Sequence, residues 1–465
     1  MATVIPVTKP LSVNPLKVSL RVGAALAFLG LARCMPLEHG VRGCAAFTKL
    51  FFMRHFREPI ALQTTAVDEV ATIVGSDENV IEALHTIIER THPELIGLTA
   101  SALSEFQGTD MRQTLSDFRH RHPAHSQVAV IPVFDFEGID GLEGGYARAV
   151  EAVIDTLVPE TRAAGSRPAQ VNVLASSLLT PGDIDNLKSW LSDFGLQPTV
   201  LPDLSDSLDG HLLDEGYQPL TYGGASRAAI ELMGKAVATI VVGSSLLPAA
   251  DLLKARTGVP DFRFNSLMGV AACDELTGLL ARLSRRPVSE RLRRQRSRLL
   301  DAMVDCQFYT AGATASIAGE PDSLFAMQPF LAESGIAIDR MIAATYARSP
   351  GESAHSNVAV GDLGDLRSSL LARKSDLILA NSHALALSNE LGVPLLRVGF
   401  PQHDFIGAHA KVWIGYDGTR QTLFDVSNLL AQFRRQNQPY HSIYKSNATA
   451  TIGKSDVVSL EGDAQ

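Results

Sequence analysis

Leu95-Ile96-Gly97-Leu98-Thr99 and Val128-Ala129-Val130-Ile131-Pro132-Val133 decide the fold class. Each is a short, continuous apolar run without alternation. That is the pattern of a strand covered on both faces, as in a parallel sheet between helices. Helical stretches surround them: 78–90 carries apolar residues at helical spacing, 110–121 is polar and helical in character, and 144–157 follows the second run. The unit is strand, loop, helix.

The same unit recurs downstream. VNVL (171–174) is followed by a helix at 181–194, whose first turn places Asp183 and Asp185 at the favourable end of the helix dipole. A strand at 198–201, a helix at 225–234, the strand ATIVVG (238–243) and a helix near 273–283 continue the series. A long helix at 287–304 bridges to a third array, with strands at 314–317, 336–338, 377–380 and 394–397 and helices at 323–334 and 383–391. Three βα arrays predict an α/β protein: three Rossmann-like domains, parallel sheets flanked by helices around a central cleft. The expected divisions are 1–165, 166–300 and 301–465. At 465 residues the chain is too long for one core, which agrees with that count.

With 46% hydrophobic and 20% charged residues the chain has the make-up of a soluble globular protein. A net charge of −9 argues against general nucleic-acid binding. The local exception is 282–298, with eight arginines in seventeen positions, read as a solvated helix face whose aliphatic stems lie on the surface. The apolar run 22–32 follows Lys9, Lys17 and Arg21, but it is far shorter than the roughly 20 residues a membrane span needs. Arg33 ends it without a small-residue cleavage site, so it reads as a buried helix, and no membrane partner is expected.

Cys34, Cys44, Cys273 and Cys306 are few and irregularly spaced, with no C-x-x-C, which removes zinc ribbons and thioredoxin-like redox sites and fits a reducing cytoplasm. No Walker loop, G-x-G-x-x-G, H-E-x-x-H or G-x-S-x-G is present. Ser382 and His383 are adjacent, not catalytically paired. Asp322, in GEPDSL (319–324), reads as a helix cap. Cys44 stands apart. It ends a glycine-flanked loop, His39-Gly40-Val41-Arg42-Gly43-Cys44, where a backbone can approach a metal cluster and a soft thiolate prefers iron or zinc. One cysteine cannot hold an iron–sulfur cluster, which takes about four protein ligands, so any others must come from another chain.

His39-Gly40-x-x-Gly43-Cys44 followed by FFMRHFREP (51–59) resembles the cluster-binding loop of the nitrogenase component 1 family. GAALAFLGLARCMPLEHG (23–40) and HFREPIALQTTA (55–66) place the resemblance among that family's cofactor-assembly scaffold subunits. LTPGDIDNL (179–187), PDLSDSLDGHL (202–212), ANSHALA (380–386), PLLRVGFPQHD (394–404) and QPYHSIY (438–444) extend it, in order, over nearly the whole chain.

The resemblance implies a nitrogenase component 1 β-subunit-like fold and a scaffold role rather than stand-alone catalysis. It implies a homologous E subunit as partner in an α2β2 heterotetramer. On that assembly the iron–molybdenum cofactor precursor, bound transiently and mainly by the partner, receives molybdenum and homocitrate from the nitrogenase iron protein before transfer to apo-nitrogenase. Precursor-delivering proteins are further implied partners. Cys44 is the implied metal ligand. The related catalytic subunit has further cluster thiolates where this chain has Leu62 and, ahead of Glu105, Ala102. The implied cofactor is therefore a [4Fe-4S] cluster shared with the partner subunit. The alternative reading is a catalytic nitrogenase β-type or protochlorophyllide reductase subunit.

Overall fold

The computed structural model of the chain describes residues 16–68, 77–100, 110–134, 141–212, 216, 218–345 and 358–435, together with the backbone of 4–5. QPYHSIY (438–444), Ala102 and Glu105 lie outside the described residues. The strands, in chain order, are β1 (Val4–Ile5), β2 (Cys34–His39), β3 (Gln63–Thr64), β4 (Leu95–Ala100), β5 (Ala129–Val133), β6 (Arg167–Ala175), β7 (Gln197–Leu201) and β8 (Ala236–Val242). They continue as β9 (Asp261–Phe264), β10 (Thr314–Gly319), β11 (Ala337–Ala343), β12 (Val358–Val360), β13 (Leu377–Ala380) and β14 (Leu395–Arg397).

They form three parallel sheets: β3-β2-β4-β5, β7-β6-β8-β9 and β1-β12-β11-β10-β13-β14. The α/β reading is correct: β4, β5 and β8 start within two residues of their expected positions, and β6 starts four residues before the expected 171. Every residue of β4 is buried, as a strand under helices on both faces must be. Among the described residues no helix is long and apolar enough to cross a membrane.

Helix starts follow local chemistry. Thr180 caps the Pro181–Asp193 helix in a reciprocal box with Asp183, and Pro181 occupies a position where its missing N–H costs nothing. Asp110, expected inside its helix, is instead the cap of Met111–Arg121. The 287–304 helix begins later, at Glu290 after the Ser289 cap, and runs to Thr310. Its arginines are largely engaged within the chain: Arg291 pairs with Asp193, Arg293 with Glu290 and Arg296 with Asp274.

Several elements escape the sequence pattern, among them β9, β12 and the Leu247–Thr257 and Leu363–Ala372 helices, and three more bear on the site. β2 reads Cys-Met-Pro-Leu-Glu-His yet is buried at every position. The Arg42–Phe56 helix and the Gly415–Arg435 helix were not expected.

The first array is held by a helix pair. Leu20–Leu29 is buried along nearly its entire length and lies against Leu142–Leu157. A Cβ added at Gly23 would sit 1.8 Å from the Leu142 carbonyl oxygen, and one at Gly145 would sit 1.8 Å from that of Leu20. The backbones touch reciprocally, and only glycine fits. Gly97 of β4 likewise receives the ring of Phe28, 2.2 Å from where a Cβ would be.

Gly23→Ala should therefore destabilise the protein by at least about 2 kcal/mol in denaturant unfolding, since neither backbone can yield cheaply. Gly43→Ala, where an added Cβ meets nothing within 4 Å, should be neutral or stabilising by up to about 1 kcal/mol.

Candidate metal-ligand helix and the central cleft

β2 ends at His39, and the chain turns at Gly40 into the Arg42–Phe56 helix. The turn is clamped by the QTTA segment. Thr65 Oγ1 accepts from the Gly40 N–H at 3.1 Å and lies 2.9 Å from His39 Nδ1. Thr64 Oγ1 and the Val67 N–H both donate to the Gly40 carbonyl, each at 3.0 Å. Burial pushes His39 down to about 4, so the ring stays neutral in this turn. Glu38, buried one residue earlier, faces Arg21 of the Leu20–Leu29 helix at 3.7 Å.

Cys44 is not the end of a loop: it occupies the first turn of the helix. There its N–H donates to the carbonyl of the cap residue Val41 at 3.2 Å. It is half-buried, whereas Cys34, Cys273 and Cys306 are buried. Burial pushes the Cys34 thiol up to about 12 and that of Cys273 higher still, which keeps both protonated and inert. Of the four cysteines only Cys44 faces outward. The flank of Gly43 beside it is open.

The helix has two characters. Ala45, Thr48, Phe52, His55 and Phe56 face the protein. Phe47, Leu50 and Met53 form one stripe on the other side and are 67%, 49% and 50% exposed. A monomeric protein seldom leaves such a stripe uncovered. Among the described residues, the one cluster of His, Cys, Asp or Glu ligand atoms close enough to hold a metal is His85, His122 and His125, and Cys44 is not in it. Leu62, where the catalytic relative has a thiolate, is packed into the core with Phe56 and Ile60.

The far end of the helix docks on the third sheet. The Gln402 N–H donates to His55 Nδ1 at 3.0 Å, and Phe400 packs on Phe52, His55 and Phe56. The HFREP and GFPQHD stretches, over three hundred residues apart, thus form one contact. Ser382 belongs to this contact: its Oγ donates to Asp404 and accepts from the His403 N–H. Asp404 also pairs with Arg397, so Ser382, His383 and Asp404 make no proton relay.

Asp322 is not a cap. Glu320 holds the cap position, and the buried Asp322 carboxylate accepts from Ser244 Oγ at 2.7 Å and from Ser245 Oγ at 2.6 Å, tying the second sheet's end to the third. Asp183 makes a similar tie, accepting from the Trp413 and Ile414 N–H groups at 2.6 and 3.0 Å while burial lifts it to about 6. Between these ties opens the central cleft, bordered by Leu26 and His55, by Leu179 and Leu204, and by Met327 and Trp413. No cysteine lines it.

Burial depresses His55 to about 3, with His409 nearby adding to the effect. A depressed histidine stabilises the fold fully above its unfolded value of 6.5, and that stability drains away as pH falls toward 3. Relative to His55→Gln, which keeps an acceptor but cannot titrate, the protein should lose about 1.4 kcal/mol per pH unit below 6.5 in urea unfolding. A pH-independent difference would show that the ring is not held neutral by this contact.

A model of nitrogenase component 1 type oxidoreductases matches residues 19–431. The nitrogenase iron-molybdenum cofactor biosynthesis protein NifN of Klebsiella pneumoniae is 39% identical over 452 residues, covering 97% of this chain and 98% of the relative. The protein of that name from a Nostoc species is 40% identical, covering 92% and 95%. Among solved structures, "Nitrogenase Cp1 at pH 6.5" superposes with a TM-score of 0.87 at 25% identity, over 94% of this chain and 96% of that one.

Proposed function

Because the chain belongs to the nitrogenase component 1 family, we propose that it is a subunit of the scaffold on which nitrogenase iron–molybdenum cofactor is built. It works in the cytoplasm as the β-like half of an α2β2 heterotetramer with a homologous E subunit. The precursor arrives from delivering proteins as cargo. It receives molybdenum and homocitrate with the nitrogenase iron protein docked, and leaves for apo-nitrogenase. Relatives named for cofactor biosynthesis, matching end to end, support the role.

One observation carries the site reading. The only outward cysteine stands at a helix N-terminus, beside an open glycine and an uncovered apolar stripe, and it belongs to no group of three or more ligand residues among the described residues. Half a site has that form. Cys44 fits a [4Fe-4S] cluster as a single soft ligand, and the remaining thiolates come from the partner. Such a cluster supplies one-electron transfer when bound. Phe47, Leu50 and Met53 bury against the partner, excluding water from the junction. Leu62, locked in the core, offers no ligand for a larger cluster, which disfavours the catalytic β-type alternative.

The cleft suits the cargo role assigned to the partner. Its border is mostly apolar and without thiols, so this chain closes the chamber rather than anchoring what lies in it. The Gln402–His55 bond holds the cluster helix and the cleft wall as one body.

Cys44→Ala in the co-purified complex should lower cluster iron and the reduced-state spin signal several-fold while subunit assembly persists. Cys44→Ser should recover part of both, since an alkoxide is a poorer iron ligand than a thiolate. Cys306→Ala should leave both unchanged. Full cluster content in Cys44→Ala would overturn the assignment.

A further inference from the structure

The Asp77–Thr91 helix and the segment closing the Met111–Arg121 helix bring three histidines together, away from any role described so far. His85 Nδ1 lies 2.9 Å from His125 Nε2, and one ligand nitrogen from each of His85, His122 and His125 lies within 4.8 Å of the other two. The ring centroids are 4.5 Å (His85–His122), 5.2 Å (His85–His125) and 5.7 Å (His122–His125) apart. Glu89, one helical turn after His85, places Oε1 3.5 Å from His125 Nε2.

The group is supported from behind. His122 and His125 flank Pro123 in a single short turn, with the His125 N–H donating to the His122 carbonyl at 3.0 Å. Arg119 donates to the carbonyls of His125 and Val128 at 3.1 and 2.8 Å, fixing the backbone that carries His125. Phe118 packs against both rings, 5.4 and 6.2 Å away. Three imidazoles crowded together gain little from one another: a hydrogen bond satisfies one pair and leaves the third. A tetrahedral ion bound at about 2.0–2.1 Å needs nitrogens roughly 3.3–3.4 Å apart, within the spread found here. Imidazoles with a carboxylate are a donor set for zinc and its late first-row neighbours, not for magnesium or calcium.

We propose that His85, His122 and His125, with Glu89 or water as fourth ligand, form a binding site for a divalent transition metal of the zinc class. The bound ion joins the Asp77–Thr91 helix to the turn after Arg121, on the outer side of the first sheet's core. The site is independent of Cys44 and of the scaffold reading.

The test uses the full chain in its purified complex, without a histidine tag and with Cys44→Ser removing the outward thiol. Cobalt(II), then zinc(II), is titrated after chelator treatment. The expected result is one equivalent per chain, with the visible d–d absorption of tetrahedral cobalt, bleached by zinc, and a rise in the thermal midpoint. Each of His85→Gln and His122→Gln should weaken binding by about 100-fold or more, while exposed His120→Gln should not. His85 and His122 are half-buried, and their folding is checked by circular dichroism. Should either variant unfold, loss of the d–d band after histidine-selective modification of the folded chain, prevented by prior zinc loading, gives the same answer. No saturable equivalent, or binding unchanged in His85→Gln and His122→Gln, overturns the proposal.

Discussion

The approach of two backbones at Gly23 and Gly145 sets the geometry from which Cys44 is aimed. Helices joined at carbonyl contact cannot slide or rotate, so the Leu20–Leu29 helix is a fixed post. β2 leaves that post through Arg33 and is pinned to it again where Arg21 meets Glu38. The QTTA clamp then sets the angle at which the Arg42–Phe56 helix departs, and the His55–Gln402 bond anchors its far end. The half-buried thiol stands at one end of a beam held at both.

The three arrays are joined by buried polar ties rather than by apolar contact alone. Asp322 reaches Ser244 and Ser245, Asp183 reaches the backbone at Trp413 and Ile414, and His55 reaches Gln402. Buried polar groups must be satisfied in one arrangement, and a shifted one leaves them unpaired at a cost of about 1–3 kcal/mol each. Such ties favour one relative placement of the sheets, and hence one shape for the cleft between them.

Much of this was legible in the sequence. β4, β8 and β13 are uninterrupted apolar runs, and burial on two faces is what such runs encode. β2 was hidden because Pro36, Glu38 and His39 look like loop residues; only the three-dimensional partners Arg21 and Thr65 make them strand residues. The Arg42–Phe56 helix was hidden by its own outer face. Its outer face carries Phe47, Leu50 and Met53, so polar and apolar positions do not separate along it. The glycines early in Gly415–Arg435 obscured that helix in the same way. Cys44 stood out from its neighbours, but its position inside a helix did not. The histidine cluster was invisible because its members lie on separate elements, and no spacing rule joins His85 to His122-x-x-His125.

The central claim is that this chain holds half of a cluster site. Iron and sulfide determined anaerobically on the chain purified alone, beside the same chain purified with its partner, test it most directly. The account predicts the iron and sulfide of one [4Fe-4S] cluster per αβ pair in the complex and essentially none on the chain alone. A full, spectroscopically intact [4Fe-4S] cluster on the isolated chain would contradict it.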